Sequence, residues 1–310
     1  MYDEYGPTPR ICFDYLLNKQ YQKIHQLHYD KALGNLAIEE LRKMVKDATT
    51  LTMDDLSHTL LLVTRMSKDL KVDTTREILP HEDLVLAKVE IASRAVEMAL
   101  QVRLWEQLRA DQLTIYRQFA NVPETRCIAG LAFESLVHKK LRQRIVLRLI
   151  PMVLREVREP GEGKKPQWHS NHGGGEDPSS LRPIDITPLR TEAYERSELD
   201  QIENKVYYVP KSKNQVAFES FIMADGNLYV FQCTIASKHS IKAGIVPFFS
   251  PYPLPPQDHW YFVFVVPEEP EEPVQEIKCP QPSDRDRDLK ALLAPDKMKL
   301  YTAPLDITQP

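Results

Sequence analysis

The stretch VAFESFIMADGNLYVFQCTIASKH, residues 216–239, reads as two strands around a tight turn, yet it places Glu219 and Gln232 where a buried hairpin would carry apolar side chains. Asp-Gly is a strong signal for a two-residue hairpin turn. Centring that turn on Asp225 and Gly226 pairs Ala224 with Asn227. Counting outward along the two strands, it sets Glu219 directly opposite Gln232. Cβ atoms of directly opposed residues lie about 5 Å apart. Thr234 follows on the same face, and Phe218, Ile222, Tyr229, Phe231 and Cys233 form an apolar set expected on the other. A carboxylate, an amide oxygen and the backbone carbonyl of Cys233 can then converge, and hard divalent cations prefer such oxygens. The same pair also reads as a polar edge patch or a plain Glu–Gln hydrogen bond. A looser turn would shift the register and separate the two groups.

These residues resemble the metal core of the PD-(D/E)XK, or restriction-endonuclease-like, nucleases. That family sets an acid on one strand and (E/Q)-x-K on the next. Glu219 matches the acid, Gln232 matches the E/Q position, and Thr234 stands where the lysine belongs. The family often adds a glutamate in the preceding helix, and Glu134 in AGLAFESLVHKKL matches it. A carboxylate on a partly apolar helix face needs a partner; a metal, a salt bridge or a capping contact would each serve. As a set, YGPTPRICF, VPETRCIAGLAFE, YYVPKSKNQVAFESF, LYVFQCTIASKHSIKAG and HWYFVFVVP resemble the C-terminal part of fungal Crinkler-type and retrotransposon-hot-spot-like proteins. In those proteins a P-loop NTPase precedes a nuclease-like domain. This chain has no G-x-x-x-x-G-K-[ST], so no nucleotide site is expected, and GEGKK has the wrong spacing. Arg10 in GPTPR matches a nucleotide-sensing Pro-Arg motif, but with no phosphate to sense it is expected to be structural.

The resemblance implies a divergent metal-dependent DNA nuclease. Magnesium or manganese would be held by Glu219, Gln232, the Cys233 carbonyl and Glu134, with all-oxygen ligands suiting either ion. Glutamine for a carboxylate removes one negative charge, and Thr234 supplies no cation. Lys238 and Lys242 in SKHSIKAG are the candidates to replace the lysine, with His239 behind them; solvent exposure is their plain alternative. Lys139, Lys140, Arg142, Arg144 and Arg148 in HKKLRQRIVLR form either a basic surface for phosphates or an ordinary solvated helix end. His169 and His172 in WHSNHGGGED invite a metal reading, but a Gly-rich loop would not hold their geometry.

The elements that must position these groups follow from periodicity. Residues 11–120 read as nearly all helix, with NLAIEELRKMVKDA, DDLSHTLLLVTRMSKDL and the long run from His81 showing apolar spacings of three and four. PETRCIAGLAFESLVHKKLRQR reads as a helix opened by Pro123. IVLRLIPMVL, KVYYVP, QVAFESFIM, NLYVFQCTI and HWYFVFVVP read as strands, with a helix in KHSIKAGIVPFF crossing between the last two. The expected class is α+β: an N-terminal helical region, residues 1–120, then a mixed-sheet α/β domain, 121–295, and a tail, 296–310; the resemblance implies that the first is the remnant of an NTPase end and the second a restriction-endonuclease-like domain. Residues 156–182, rich in Gly, Pro and charge, are expected as a mobile loop.

Bulk properties narrow the partners. The 310 residues carry a net charge of −4, with 42% hydrophobic and 27% charged residues, an ordinary globular composition. No overall basic field announces nucleic acid. No apolar run is long enough to span a bilayer, and MYDEYGPTPR lacks a secretory signal's basic start and apolar core. Cys12, Cys127, Cys233 and Cys279 are far apart, which fits reduced intracellular thiols; DNA as substrate would imply the nucleus. Two alternatives stand beside the nuclease. One is a degenerate nuclease fold that binds nucleic acid or protein without cutting. The other is a helical interaction protein that docks a partner through residues 11–120.

Overall fold

The computed structural model describes residues 20, 23–24, 27, 31, 61–65, 87–91, 96, 99–100, 109–120, 126–158, 164–170, 182–195, 197–211, 217–268, 276–282 and 285–307. It is mixed α+β, with a large mixed sheet and few helices. The chain divides into two compact units, Met1–Ala132 and Phe133–Pro310.

In the first unit, Leu61–Arg65 (β1) and Ala87–Ile91 (β2) pair antiparallel, with Val63 opposite Val89. The helix expected over both stretches is corrected there. AKVEI alternates apolar and polar residues with a period of two, and LLVTR carries β-branched side chains, so these five-residue windows favour extended backbone over the helical spacing of the longer run. Arg109–Ala120 (α1) is helical, as expected. NLAIEELRKMVKDA and Arg10 lie outside the described residues. Among those described, no helix is long and apolar enough to cross a membrane.

The second unit is built on a ten-stranded sheet. Its strands are Ile145–Arg158 (β3), Lys164–Ser170 (β4), Arg182–Ile186 (β5), Arg190–Tyr194 (β6), Val206–Pro210 (β7), Ser220–Ala224 (β8), Asn227–Cys233 (β9), Trp260–Glu268 (β10), Lys278–Pro280 (β11) and Lys299–Asp306 (β12). They run in the order β11-β4-β3-β12-β10-β9-β8-β7-β6, with β5 pairing to β3. β10 is parallel to both β9 and β12, and β8 is antiparallel to β7 and β9. Three helices accompany the sheet: Arg126–Leu141 (α2), Ile245–Phe249 (α3) and Arg287–Leu292 (α4). The segment leaving β9 returns to the far edge, where Lys278 bonds to Ser237 and His239 at 2.8 and 2.9 Å. That contact gives the outer edge of β11 a backbone partner.

Two expectations fail in this unit. The loop over 156–182 contains β4, and Gln167, His169 and Ser170 are buried there. Its polar composition suggests solvent, but pairing with β3 on one side and β11 on the other satisfies the backbone. The tail over 296–310 holds β12, a central strand between β3 and β10. Proline argues against a central strand, yet Pro304 sits opposite Val266 in this one.

Aligned side chains explain why the sheet holds. Tyr208, Phe221, Val230, Phe262 and Leu300 form one rung across five strands, and all belong to the apolar core. Phe221 stacks on Tyr208 with centroids 4.8 Å apart, and α3 lays Phe248 and Phe249 on the same face. Burying a phenylalanine side chain fully contributes about 2 kcal/mol, so the rung is a principal tie between strands. The opposite face, with Ile222, Tyr229, Phe231 and Cys233, is buried as well. Phe218 leaves that set and packs its ring on Phe221, Phe248 and Phe249.

The β8–β9 turn has Asp225 at φ 51° and Gly226 at φ 76°, the two left-handed residues of a type I′ turn. Gly226→Ala would meet no neighbouring atom within 4 Å, so its cost is conformational. We expect a loss of about 1 kcal/mol in urea unfolding. Burial pushes the Cys279 thiol up to about 11 from 9.0. Because the folded value is the higher one, that contribution is whole below pH 9 and is lost as pH rises toward 11. The expected loss is about 2 to 3 kcal/mol, and Cys279→Ala should flatten this part of the stability curve.

Candidate functional site

The hairpin register is the one the Asp-Gly turn demands. Ala224 faces Asn227, Ile222 faces Tyr229 and Ser220 faces Phe231. Glu219, one residue before β8, donates its N–H to the Phe231 carbonyl at 3.0 Å. Its side chain meets Gln232 as the spacing predicts: Gln232 Nε2 donates to Glu219 Oε1 at 2.6 Å. The second carboxylate oxygen accepts the backbone N–H of Cys233. The pair thus stands at the open end of the hairpin, on the next rung of the same face after Phe221 and Val230, with Ser220 and Phe231 between them facing the other way. That next rung continues from Gln232 through Phe264 and Thr302 to Ile150. The Thr302 hydroxyl on it is fully buried and has no hydrogen-bond partner among the described residues.

Helix α2 adds a buried polar chain on the other side of the sheet. Glu134 and His138 stand one turn apart, with Glu134 Oε1 3.6 Å from His138 Nε2. His138 Nδ1 is 2.6 Å from the Tyr207 hydroxyl, which donates to Ser220 Oγ at 2.9 Å. The exposures are 1% for His138 and 0% for Tyr207 and Ser220. Ser220 is bonded covalently to Glu219, so the chain runs from the helix to the base of the hairpin. Burial pushes the Tyr207 phenol well above its ordinary value; the negative fields of Cys233 and Glu219 add to this, while Ser220 and Arg142 oppose it.

The remaining sequence candidates are spread more widely. Burial lowers the pKa of Lys139, with Arg142 adding repulsion, and burial also lowers that of Arg142. Arg144 pairs with Asp185 at 2.7 Å and Arg148 with Glu268 at 2.7 Å. Lys140 is half-exposed. Thr234 uses its hydroxyl locally, accepting from the Ala236 N–H at 3.0 Å. Lys238 lies opposite Lys278, and the register puts it with His169 on the face away from Gln232. Lys242 is exposed and flanks His239, whose ring packs 5.9 Å from Phe264. Burial, with Lys242 nearby, holds the His239 imidazole below its usual range.

His169 is not in a loop: it is buried on β4, with Nδ1 3.0 Å from Glu276 Oε1. His172 lies outside the described residues. Cys233 presents its N–H to Glu219, where the sequence suggested its carbonyl.

Sequence reasoning missed His138, Tyr207 and Ser220. His138 was findable, since it follows Glu134 by the four residues that stack side chains on one helix face. Tyr207 was not, because nothing in VYYVP shows which tyrosine turns toward the helix.

No three His, Cys, Asp or Glu side chains among the described residues converge on one metal position. The donors that do meet are two. Magnesium is commonly held through one or two carboxylates, with water and substrate phosphates completing its shell. Glu219 fits that pattern, and turning the Gln232 amide over would present Oε1 beside it. No family model, curated protein or solved structure matches this chain.

Tyr207→Phe would strand His138 Nδ1 and Ser220 Oγ in the interior. We expect a loss of about 2 kcal/mol in urea unfolding, whereas Tyr229→Phe, away from this chain, should cost less than half as much.

Proposed function

We propose that residues 133–310 form a divergent metal-dependent DNA nuclease unit of the restriction-endonuclease-like fold, hydrolysing phosphodiester bonds at the base of the β8–β9 hairpin. The observation that carries the reading is the meeting of Glu219 and Gln232 at 2.6 Å. Support comes also from the order of elements. Helix α2 with Glu134 is followed later by β7, β8 with Glu219 before it, β9 with Gln232, then α3 and a parallel β10. This is the placement that the resemblance implies for its acid, its E/Q residue and its helix glutamate.

In this reading Glu219 and the Gln232 amide oxygen hold magnesium or manganese. When bound, the ion would draw charge from a phosphate oxygen and make a water more acidic. Every other part belongs to the chain. The Cys233 N–H keeps one Glu219 oxygen in place. The Glu134–His138–Tyr207–Ser220 chain fixes the strand that carries Glu219. The cations at the end of α2 supply a positive surface for the DNA backbone.

A second reading, a module that grips nucleic acid without cutting, is favoured by Thr234. Its hydroxyl is spent on Ala236, and it brings no positive charge to the lysine position. Incubation of supercoiled plasmid with the purified chain decides between the two. We expect nicking with magnesium or manganese, abolished by Glu219→Ala. Intact plasmid with either ion overturns the nuclease reading, and retardation of that DNA in a gel would put the binding module in its place.

A further inference from the structure

We infer that His239 is the general base of this site, taking the proton of the water that attacks the phosphodiester; this rests on the nuclease reading above. Lys238 and His239 are adjacent on an extended segment, so they turn to opposite faces. Lys238 aligns with Lys278 on β11. Ile277 and Cys279, on either side of Lys278, belong to the apolar core. Lys238 therefore faces out and His239 faces in. Its ring packs 5.9 Å from the ring of Phe264, a member of the same core.

Phe264 joins the imidazole to the acid–amide pair. It lies directly opposite Gln232 where β9 and β10 run parallel, one strand spacing of about 4.8 Å away. Gln232 in turn bonds Glu219 at 2.6 Å. Phe264 is fully buried, whereas Glu219, Gln232 and His239 are half-buried. Three polar side chains thus border an apolar floor on one face of the sheet, and a single phenyl ring separates the imidazole from the amide. In that gap we place the phosphodiester and its water.

The ring is set up to accept a proton. His239 Nδ1 lies 3.3 Å from the Ser240 carbonyl oxygen, which can only accept. In the neutral ring Nδ1 therefore carries the hydrogen and Nε2 the lone pair. Burial holds the imidazole below its usual range, with Lys242 adding to this and the Ser240 carbonyl opposing it. Of the other charged groups, Glu219 shares the face and Lys278 is turned away from it. In the step itself the water oxygen forms a bond to phosphorus and its proton passes to Nε2. The bond from phosphorus to the leaving sugar oxygen breaks, and that oxygen keeps the electron pair and takes a proton from solvent. The part left open by Thr234 is then played by a neutral base and needs no cation.

The test compares wild type with His239→Ala, His239→Gln and, as a control at the exposed hairpin tip, His259→Ala, each first shown to keep its melting temperature. Plasmid nicking with manganese is followed across pH, and binding of a short duplex is measured by fluorescence anisotropy in EDTA. We expect both His239 variants to lose about a hundredfold in kcat while duplex binding stays within about twofold. Wild type and His259→Ala should lose rate on the acid side as the imidazole is protonated, and His239→Ala should lack that limb. Free imidazole should restore part of its rate. Nitrogen NMR of the metal-free protein should find the His239 proton on Nδ1.

A His239→Ala protein that cuts like wild type overturns the inference and leaves the nuclease reading standing. So does a rate lost in step with duplex binding, an acid limb that persists without the imidazole, or a proton found on Nε2 alone. A wild type that cuts with neither magnesium nor manganese overturns the nuclease reading, and the inference falls with it.

Discussion

A two-residue reversal sets the geometry of the whole candidate site. Asp225 and Gly226 both take left-handed backbone, which matches the twist of the strands they join and leaves one register open to them. Slipping by one residue would misalign the rung from Tyr208 to Leu300 and part Glu219 from Gln232. The core therefore defends the register that the turn selects. The Glu219–Gln232 contact is a consequence of both, since it lies two residues along from the apolar rung, on the same face.

What distinguishes that contact from a surface polar pair is its surroundings. Glu219 accepts from a side-chain amide and from a backbone N–H, so its carboxylate is held in one orientation. On the other side of the sheet a helix sends His138 into the interior to meet Tyr207. Buried polar chains of this kind are costly unless each member is satisfied. Here the chain ends at Ser220, the residue next to Glu219. The hairpin base is thus anchored from two directions, by the register and by the helix.

Much of this was legible in residues and spacing. The Asp-Gly signal gave the pairing of Glu219 with Gln232 because hairpin register depends on local backbone alone. The strands at KVYYVP, NLYVFQCTI and HWYFVFVVP were legible from their β-branched and aromatic content. Elements whose stability comes from distant partners were not. AKVEI is extended through LLVTR; KKPQWHS is a strand through β3 and β11; KLYTAPLD is central despite its proline because β3 and β10 flank it. The same limit applies within the site. Spacing brought Glu134 to notice, but only the fold shows that its neighbour is His138 and that Tyr207 joins the helix to the hairpin. Lys238 looked close in sequence to Gln232, yet the strand pairing that seals β11 puts it on the other face.

The central claim is that Glu219 and Gln232 together seat a divalent ion. Anomalous X-ray diffraction from crystals soaked in manganese tests it most directly. The account predicts a manganese peak within coordination distance of a Glu219 carboxylate oxygen, with the Gln232 amide turned so that Oε1 faces it. A peak bound elsewhere, or a Glu219 still bonded to Gln232 Nε2 and the Cys233 N–H in crystals saturated with the ion, would contradict it.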